Sequence, residues 1–264
     1  MDTPYLNRFA GIGRLYGKAG LNHLKESQFM VIGLGGVGSW TVEALARSGV
    51  GEIILVDGDA VCTSNTNRQL HALIGNEGLN KTSVMAARAK AINPDIKIKE
   101  ITRFISRTNP SEFLDGFTGV VIDAIDSLSP KCGLINEVRN RHLKMVTVGG
   151  CAGRLDGTRI KVTDMTASRD DPLMMLVRKR LRQNYDFPRK GLFNISCVWS
   201  DEPFTQPTDC AGLPGGEIPE EEEDELRPNC EWGYGTASHI AGAFGLAAAG
   251  EAIRLCLLDL KKSD

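Results

Sequence analysis

The residues of this chain that could do chemistry begin with a glycine-rich loop. The loop spans residues 33–38 and directly follows the apolar segment 29–32. Its glycines are Gly33, Gly35, Gly36 and Gly38. Glycines permit a tight turn and a close approach of backbone to phosphate, and the dipole of a following helix attracts anionic oxygens. The loop predicts a nucleotide-phosphate site, with a glycine turn that binds nothing as the alternative.

A carboxylate at the end of the next predicted strand adds a ligand for a ribose. Asp57 lies 19 residues after Gly38, which is the spacing of the ribose-binding acid in dinucleotide sites. The same carboxylate would serve the ribose of ATP equally well. The loop and Asp57 therefore leave two classes open, a nicotinamide-dependent oxidoreductase and an adenylating enzyme.

Two cations and a further carboxylate separate these classes. Arg68 belongs to the polar segment 64–69, Lys81 begins a predicted helix, and Asp126 follows a predicted strand. An arginine and a lysine that converge on one nucleotide supply positive charge where a pentavalent phosphate forms. An aspartate beside them can hold Mg²⁺ on the β- and γ-phosphates. Alone, Arg68 could be a surface charge and Asp126 a helix cap, but together the three predict catalysis on ATP.

This arrangement resembles the ubiquitin-activating superfamily, which includes bacterial enzymes that adenylate sulfur-carrier proteins. The matching motifs are the loop 33–38, Asp57-x-Asp59, Ser64-Asn65-x-x-Arg68-Gln69, Lys81 and Asp123-x-x-Asp126-Ser127, within residues 8–150. In that superfamily a carboxylate attacks ATP and yields an acyl-adenylate and pyrophosphate. The resemblance implies that Asp57 binds ribose and that Asp126 binds Mg²⁺. It also implies a nucleotide-binding set that includes Asp59, Asn65, Arg68, Gln69, Lys81 and Ser127.

Motifs outside this shared core are similar to those of the tRNA threonylcarbamoyladenosine dehydratase family. They are segments 8–17, 66–73 and 123–127, Gly149-Gly150, Asp171-Pro172-Leu173 and Cys230-x-x-Gly233-x-Gly235. Members of that family use ATP to activate the carboxylate of the modified adenosine at position 37, next to the anticodon, and loss of AMP closes a ring. The resemblance implies the tRNA anticodon loop as substrate and a homodimer.

Two departures bear on the alternative, an adenylating enzyme for the C-terminus of a sulfur-carrier or ubiquitin-like protein. Relatives of that kind usually have, in place of Gly11, an arginine that reaches the partner's nucleotide, and Arg14 is the candidate replacement here. Many of them also carry two zinc-binding C-x-x-C pairs. This sequence contains no such pair, so no structural zinc is expected. The absence of these pairs favours the dehydratase.

Cys230 is the candidate nucleophile among the seven cysteines. It follows an acidic segment and precedes a predicted helix start, where the helix dipole would lower the thiol pKa. The alternatives are a small buried thiol and a persulfide acceptor. The family is linked to sulfur transfer, which implies a cysteine desulfurase or other sulfur-transfer partner. The cysteines expected in the core are Cys62, Cys132, Cys151, Cys197 and Cys256.

The elements that must position these residues alternate between strand and helix. The predicted strands are 29–32, 52–56, 96–101, 120–122 and 145–148, and the predicted helices are 39–47, 81–92 and 130–142. This order predicts a Rossmann-like, doubly wound α/β fold with a mainly parallel sheet. After residue 153, segments 158–162 and 192–199 are typical of strands that extend the sheet in antiparallel fashion, and 236–258 is typical of a long helix. Ligands of such sheets bind at the carboxyl ends of the strands.

We expect a single adenylating domain over residues 1–264. It comprises an N-terminal arm (1–27), a nucleotide-binding half (28–153) and a substrate and dimer half (154–264). Charged loops are expected in the last part, at 165–190 with a helix inside it and at 201–229.

Composition limits the partners and the compartment. The net charge of −2 gives no whole-chain basic field, but the basic stretch 178–182 could hold a tRNA backbone or be a solvated helix face. No apolar leader and no cysteine framework is present, which predicts free thiols and a cytoplasmic protein. Segment 232–250 lacks charged residues but contains five glycines, which favours a buried helix over a membrane span.

Overall fold

A computed structural model of the chain describes residues 3–205, 235–258 and 260. The helices are α1 (Thr3–Glu26), α2 (Gly36–Arg47), α3 (Lys81–Ile92), α4 (Pro110–Leu114), α5 (Leu128–Asn140), α6 (Pro172–Asn184) and α7 (Ser238–Leu257). The strands are β1 (Gln28–Ile32), β2 (Glu52–Val56), β3 (Lys97–Ile101), β4 (Val120–Asp123), β5 (Lys144–Val148), β6 (Ile160–Asp164) and β7 (Ser196–Ser200).

The strands form one twisted sheet in the order β3-β2-β1-β4-β5-β7-β6. All neighbours pair in parallel except β6, which runs antiparallel to β7. β1, β2 and β4 are almost wholly apolar because helices cover both faces of the sheet. β3 forms an edge and carries exposed charged residues instead. The predicted fold class is confirmed.

Two apolar cores lie on opposite faces of the sheet because successive side chains of a strand point to opposite sides. Phe29 and Val31 pack with α2, α3 and α7 on one face. Met30 and Ile32 pack with α4, α5 and α6 on the other. The sheet is therefore held in place from both sides, and its carboxyl-end loops sit on a rigid base.

The apolar C-terminal segment forms α7, which packs closely against α2. A Cβ on Gly245 would lie 2.5 Å from the carbonyl oxygen of Val37, and Thr41 Oγ1 donates to the Gly245 carbonyl at 3.1 Å. By length and composition α7 could cross a membrane, but most of it is buried inside the protein. It is a core helix in this structure, and its apolar character does not indicate a span.

Three local predictions differ from the structure. The N-terminal arm is helical, with a kink at Gly17 (φ 79°), and it buries Tyr5 and Leu24. The strand expected at 192–199 begins only at Ser196, because Asp164 accepts backbone N–H bonds from Phe193 and Ile195 and holds them in a loop. The strand expected at 158–162 begins at Ile160, because a 3-10 turn capped by Asp156 precedes it.

The cysteine predictions are correct for most of the core thiols and wrong for Cys62. Cys132, Cys197 and Cys256 are buried, and Cys151 packs at the edge of a core cluster. Cys62 is exposed, because it lies in the loop before the 3-10 turn Thr63–Asn65 and not on an element that faces the sheet.

Candidate nucleotide-binding and catalytic site

The glycine loop joins the end of β1 to the first turn of α2. Gly33 has a left-handed backbone (φ 87°), and a Cβ there would lie 2.8 Å from the Ala124 carbonyl oxygen. The first N–H groups of a helix have no partner inside the helix. The loop therefore presents the N-terminus of α2 at the carboxyl edge of the sheet, as the sequence predicts.

Asp57 is buried at the carboxyl end of β2 and is tied to the glycine loop. Its Oδ2 accepts the Leu34 N–H at 2.6 Å and its Oδ1 accepts the Asp59 N–H at 2.8 Å. Burial raises the pKa of Asp57 above its usual range, while the charge of Lys81 and the two N–H donors oppose that rise. The carboxylate retains lone pairs that could accept bonds from ribose hydroxyls.

Lys81 brings positive charge into the same region. It is buried in the first turn of α3, and its Nζ lies 2.8 Å from Oδ2 of the half-exposed Asp59. Its charge acts on the titration of Asp57 and Asp126. The ammonium group thus lies between the carboxylates that follow β2 and β4, where it could contact phosphate.

Segment 64–69 forms a turn beside the first residues of α2. Asn65 is buried, and its Oδ1 accepts the Cys62 N–H at 3.1 Å. The guanidinium of Arg68 donates to the Ser64 carbonyl and to Asn67 Oδ1, each at 2.9 Å. The Arg68 side chain lies 3.4 Å from the position of a Cβ on Gly36. Arg68 is therefore held next to the helix N-terminus.

Gln69 lies under the same loop and keeps an unused acceptor. It is buried, and its Nε2 lies 3.9 Å from the position of a Cβ on Gly35. Its Oε1 has no hydrogen-bond partner within the described part of the chain. An orphaned buried oxygen is unfavourable, and a donor from a bound nucleotide would satisfy it. Gln69 fits the predicted nucleotide-binding role.

Asp126 follows β4 at the carboxyl edge of the sheet. Its carboxyl is exposed, and Ser127 Oγ donates to Oδ1 at 3.5 Å. The surrounding protein raises the pKa of Asp126 by desolvation, and the charges of Lys131 and Lys81 oppose this rise. In residues 3–205 and 235–258 no three His, Cys, Asp or Glu side chains form a metal cage. Mg²⁺ is held in such sites by one or two carboxylates and substrate phosphates, so Asp126 fits.

The structure brings together most of the predicted site residues and leaves the roles of two others untested. Asp57 and Asp126 follow the carboxyl ends of β2 and β4, which flank β1, and Lys81 begins α3, the helix after β2. Arg14 is exposed on α1, and its reach to a partner's nucleotide stays a prediction. Cys230 lies outside the described residues, so its role also stays a prediction.

The basic stretch 178–182 is mostly tied into the protein. Arg178 donates to the carbonyl and hydroxyl of Ser168, and Arg180 donates to Ser129 Oγ at 2.7 Å. Arg182 lies over the Phe193 ring, 5.1 Å from its centroid. These contacts engage three of its arginines within the protein, whereas the sequence predicted either a tRNA contact or a solvated helix face.

Two residues near the site were missed by sequence reasoning. His71 is buried, and neither ring nitrogen has a partner in the described chain. The Phe104 ring is 65% exposed and lies against Gly58, next to Asp57. His71 could have been identified from the sequence, because it lies only two residues after the predicted site residue Gln69. No sequence signal identifies Phe104, because only the pairing of β3 with β2 places its ring beside Gly58.

Comparisons with known proteins identify a family and several relatives of this chain. The chain matches the ThiF family over residues 7–263. It is 40% identical to the tRNA threonylcarbamoyladenosine dehydratase of Escherichia coli K12, over 96% of this chain and 95% of that protein. It is 41% identical to the Haemophilus influenzae protein of the same name, over 94% and 93%. The solved E. coli enzyme TcdA in complex with ATP has a TM-score of 0.88 and 35% identity, and the match covers 100% of this chain and 99% of that one.

Proposed function

The chain belongs to the ThiF family, and from that membership we propose that it is an ATP-dependent tRNA threonylcarbamoyladenosine dehydratase. The dehydratases that it resembles match it along nearly their whole length. The strongest support from the site itself is that Asp57, Arg68, Lys81 and Asp126 lie around one glycine loop in a fold shared with an ATP-bound relative. The enzyme activates the threonyl carboxylate of adenosine 37 in tRNA and releases AMP and pyrophosphate.

In this proposal ATP lies along the carboxyl edge of the sheet, with its phosphates near α2 and its adenine toward β3. The phosphates lie at the N-terminus of α2, where backbone N–H groups and the dipole favour anions. Ribose hydroxyls donate to Asp57, whose carboxylate is oriented by Leu34 and Asp59. Since β3 is the neighbour of β2 on the side away from β1, the adenine extends toward Phe104.

Adenylation requires two anions to react with each other. The threonyl carboxylate attacks the α-phosphorus, a new O–P bond forms, and the bond to the bridging oxygen breaks as pyrophosphate leaves. Arg68 and Lys81 offset the like-charge repulsion and stabilise the charge of the pentavalent phosphate. Lys81 does so by sharing its ammonium donors between Asp59 and the nucleotide. Asp126 would hold Mg²⁺, which would neutralise the β- and γ-phosphates.

The second half of the reaction needs a good leaving group. An atom of the same threonylcarbamoyl group attacks the activated carbonyl carbon and closes the ring. AMP leaves with one former carboxylate oxygen, so the nucleoside loses one water overall. Cys230 is the proposed nucleophile for this stage: its thiolate would displace AMP to form a thioester, and ring closure would release the thiolate again. In the alternative role, Cys230 does not catalyse ring closure but accepts a persulfide from a cysteine desulfurase or related sulfur-transfer protein.

The assembly and the compartment belong to the same proposal. The enzyme is a homodimer, in which Arg14 reaches the nucleotide of the partner subunit. Residues 28–153 bind the nucleotide, and residues 154–264 serve the substrate and the dimer. The tRNA anticodon loop is bound at the carboxyl edge of the sheet, and the enzyme works in the cytoplasm.

The reaction itself provides the decisive test. The purified protein is incubated with ATP, Mg²⁺ and tRNA that carries threonylcarbamoyladenosine. The expected result is AMP formation and a nucleoside lighter by one water, with no reaction on unmodified tRNA. If AMP is not formed and the nucleoside mass is unchanged, the proposal is wrong.

A second assay separates the dehydratase from an enzyme that activates a carrier protein. Exchange of labelled pyrophosphate into ATP should depend on modified tRNA and not on a protein with a diglycine tail. The opposite dependence would favour the carrier-adenylating alternative. Tight binding of NAD in place of ATP would favour an oxidoreductase instead.

A further inference from the structure

A fully buried ion pair lies directly beneath the loop that carries Asp126. Lys131 on α5 and Asp123 at the end of β4 are both completely inaccessible, and their charged atoms are 2.9 Å apart. Removing two charges from water is expensive, and replacing such a pair with apolar residues is often neutral or stabilising. Stability alone therefore does not account for the pair.

Within the described part of the chain, the side-chain hydrogen bonds of Lys131 beyond this ion pair go to the backbone that leads to Asp126. Its Nζ donates to the Ile125 carbonyl at 2.8 Å and reaches the Asp123 carbonyl at 3.5 Å. Lys131 lies one helical turn into α5, so its position relative to this backbone is set by the helix. The lysine thus holds the residue immediately before Asp126.

Asp123 holds the same loop from the strand side. Its Oδ1 accepts the Ile125 N–H at 3.1 Å, and its Oδ2 accepts Thr147 Oγ1 of β5 at 2.7 Å. The neighbouring residue, Ala124, donates its N–H to the Ile32 carbonyl at 2.9 Å. The peptide at Ile125 is therefore bonded at its N–H and its carbonyl by the two members of one buried pair.

The side chain of Asp126 has much weaker restraints of its own. It is exposed, and the hydrogen bond that it accepts from Ser127 Oγ is 3.5 Å long. Its position relative to the nucleotide must then come from the backbone that precedes it. That backbone also contacts the glycine loop, since the Ala124 carbonyl closely approaches Gly33.

We propose that Asp123 and Lys131 form a buried clamp that sets the position of Asp126 and thereby the affinity of the enzyme for Mg²⁺ with ATP. Both are positioning residues, because their side chains are completely buried and act on Asp126 only through its backbone. The inference rests on the proposed function only in assigning Asp126 to Mg²⁺. It adds two buried residues whose replacement should weaken the binding of Mg²⁺ and leave the binding of the adenine base unchanged.

The test uses the full-length variant Lys131→Met and calorimetric titration of ATP at several Mg²⁺ concentrations. Loss of an outer-layer partner typically weakens metal affinity roughly 10- to 100-fold. We expect the Mg²⁺ concentration for half-maximal ATP affinity to rise by that factor, with ATP affinity in the absence of Mg²⁺ unchanged. Hydrogen exchange at residues 124–127 of the nucleotide-free variant should be faster. Lys131→Arg should recover part of both losses.

The control is Arg88→Met, which removes one of the two arginines that pair with the buried carboxylate of Glu43. Arg88 binds Glu43 through two bonds of 2.7 and 3.1 Å on the α2–α3 side of the protein. It should lower the melting temperature without moving the Mg²⁺ dependence. Equal effects of the two variants on Mg²⁺ dependence, or no effect of either, would overturn the clamp.

A milder variant covers the case in which Lys131→Met does not fold. Thr147→Val removes one hydrogen bond to Asp123 and leaves the ion pair, so a smaller shift in the same direction is expected. An unchanged Mg²⁺ dependence there would contradict the proposal. Calorimetry and hydrogen exchange need no tRNA, so the clamp can hold even if the dehydratase assay fails.

Discussion

The first turn of α2 packs directly on the loop before it: a Cβ on Gly38 would lie 1.8 Å from the carbonyl oxygen of Gly33. No side chain can occupy that space. Gly33 also accepts no ordinary residue, because its φ of 87° is left-handed. The two glycines let the strand, the loop and the helix approach one another, and this approach places the helix N-terminus at the sheet edge.

The variant Gly38→Ala should destabilise the fold, because the contact with Gly33 is between backbone atoms that cannot move alone. A loss of about 1–3 kcal/mol or more in the free energy of unfolding is expected, as for overpacked cores. Gly250→Ala is the matched control, since it is also a helical glycine but has open space around it. That change should stabilise by roughly 0.5–1 kcal/mol. Urea unfolding measures both, and equal effects would contradict the packing argument.

The variant Arg68→Ala should lower the rate of AMP formation with little change in stability. Removing one donor that stabilises transition-state charge lowers turnover by about 100- to 1,000-fold. The control is Arg47→Ala, which removes an arginine from α2 whose side chain is 61% exposed. If the Arg68→Ala variant keeps activity close to that of the native enzyme, Arg68 does not contact the reacting phosphate. That result would favour the alternative function, a nicotinamide-dependent oxidoreductase.

The variant Phe104→Ala should weaken ATP binding more than it slows turnover. Stacking of a base on an aromatic ring contributes about 1–3 kcal/mol, so KM for ATP should rise roughly 5- to 150-fold. Phe104→Tyr should bind ATP as the native enzyme does. Leu192→Ala removes a comparably exposed apolar side chain in the loop before β7 and should leave KM unchanged. An unchanged KM in the Phe104 variant would place the adenine elsewhere.

His71 should make the stability of the protein depend on pH. Burial, aided by the charge of Lys81, lowers the pKa of His71 from 6.5 to about 4. Between these values the unfolded chain takes up a proton that the folded chain does not. The free energy of unfolding should therefore fall as pH decreases from 6.5 to 4, by up to about 3 kcal/mol.

Urea unfolding at several pH values measures this dependence. In His71→Gln the fall should be reduced. His142→Asn is the control, because that imidazole is exposed and asparagine tolerates its left-handed backbone. If His71→Gln keeps the full pH dependence, other groups are responsible for it.

The sequence alone was enough to group most of the candidate site residues at one edge of the sheet. The glycine loop, Asp57 and Asp126 were predicted correctly as neighbours, because each directly follows an apolar strand and parallel strands end at one edge. The C-terminal half was predicted less well. The pattern of segment 192–199 predicts a strand that includes Phe193 and Ile195. In the structure Asp164, about thirty residues earlier, holds their backbone in a loop instead.

The sequence by itself determined the features that depend on short spacing. These are a glycine loop between a strand and a helix, a carboxylate at the end of the next strand, and a mainly parallel fold. Only the tertiary structure decided that β7 inserts between β5 and β6, that Phe104 lies against Gly58, and that Lys131 is buried on Asp123. The physical reason is that these contacts join distant segments through packing and charge. Such contacts leave no periodic pattern along the chain, and a lone lysine in sequence is indistinguishable from a solvated one until the fold buries it.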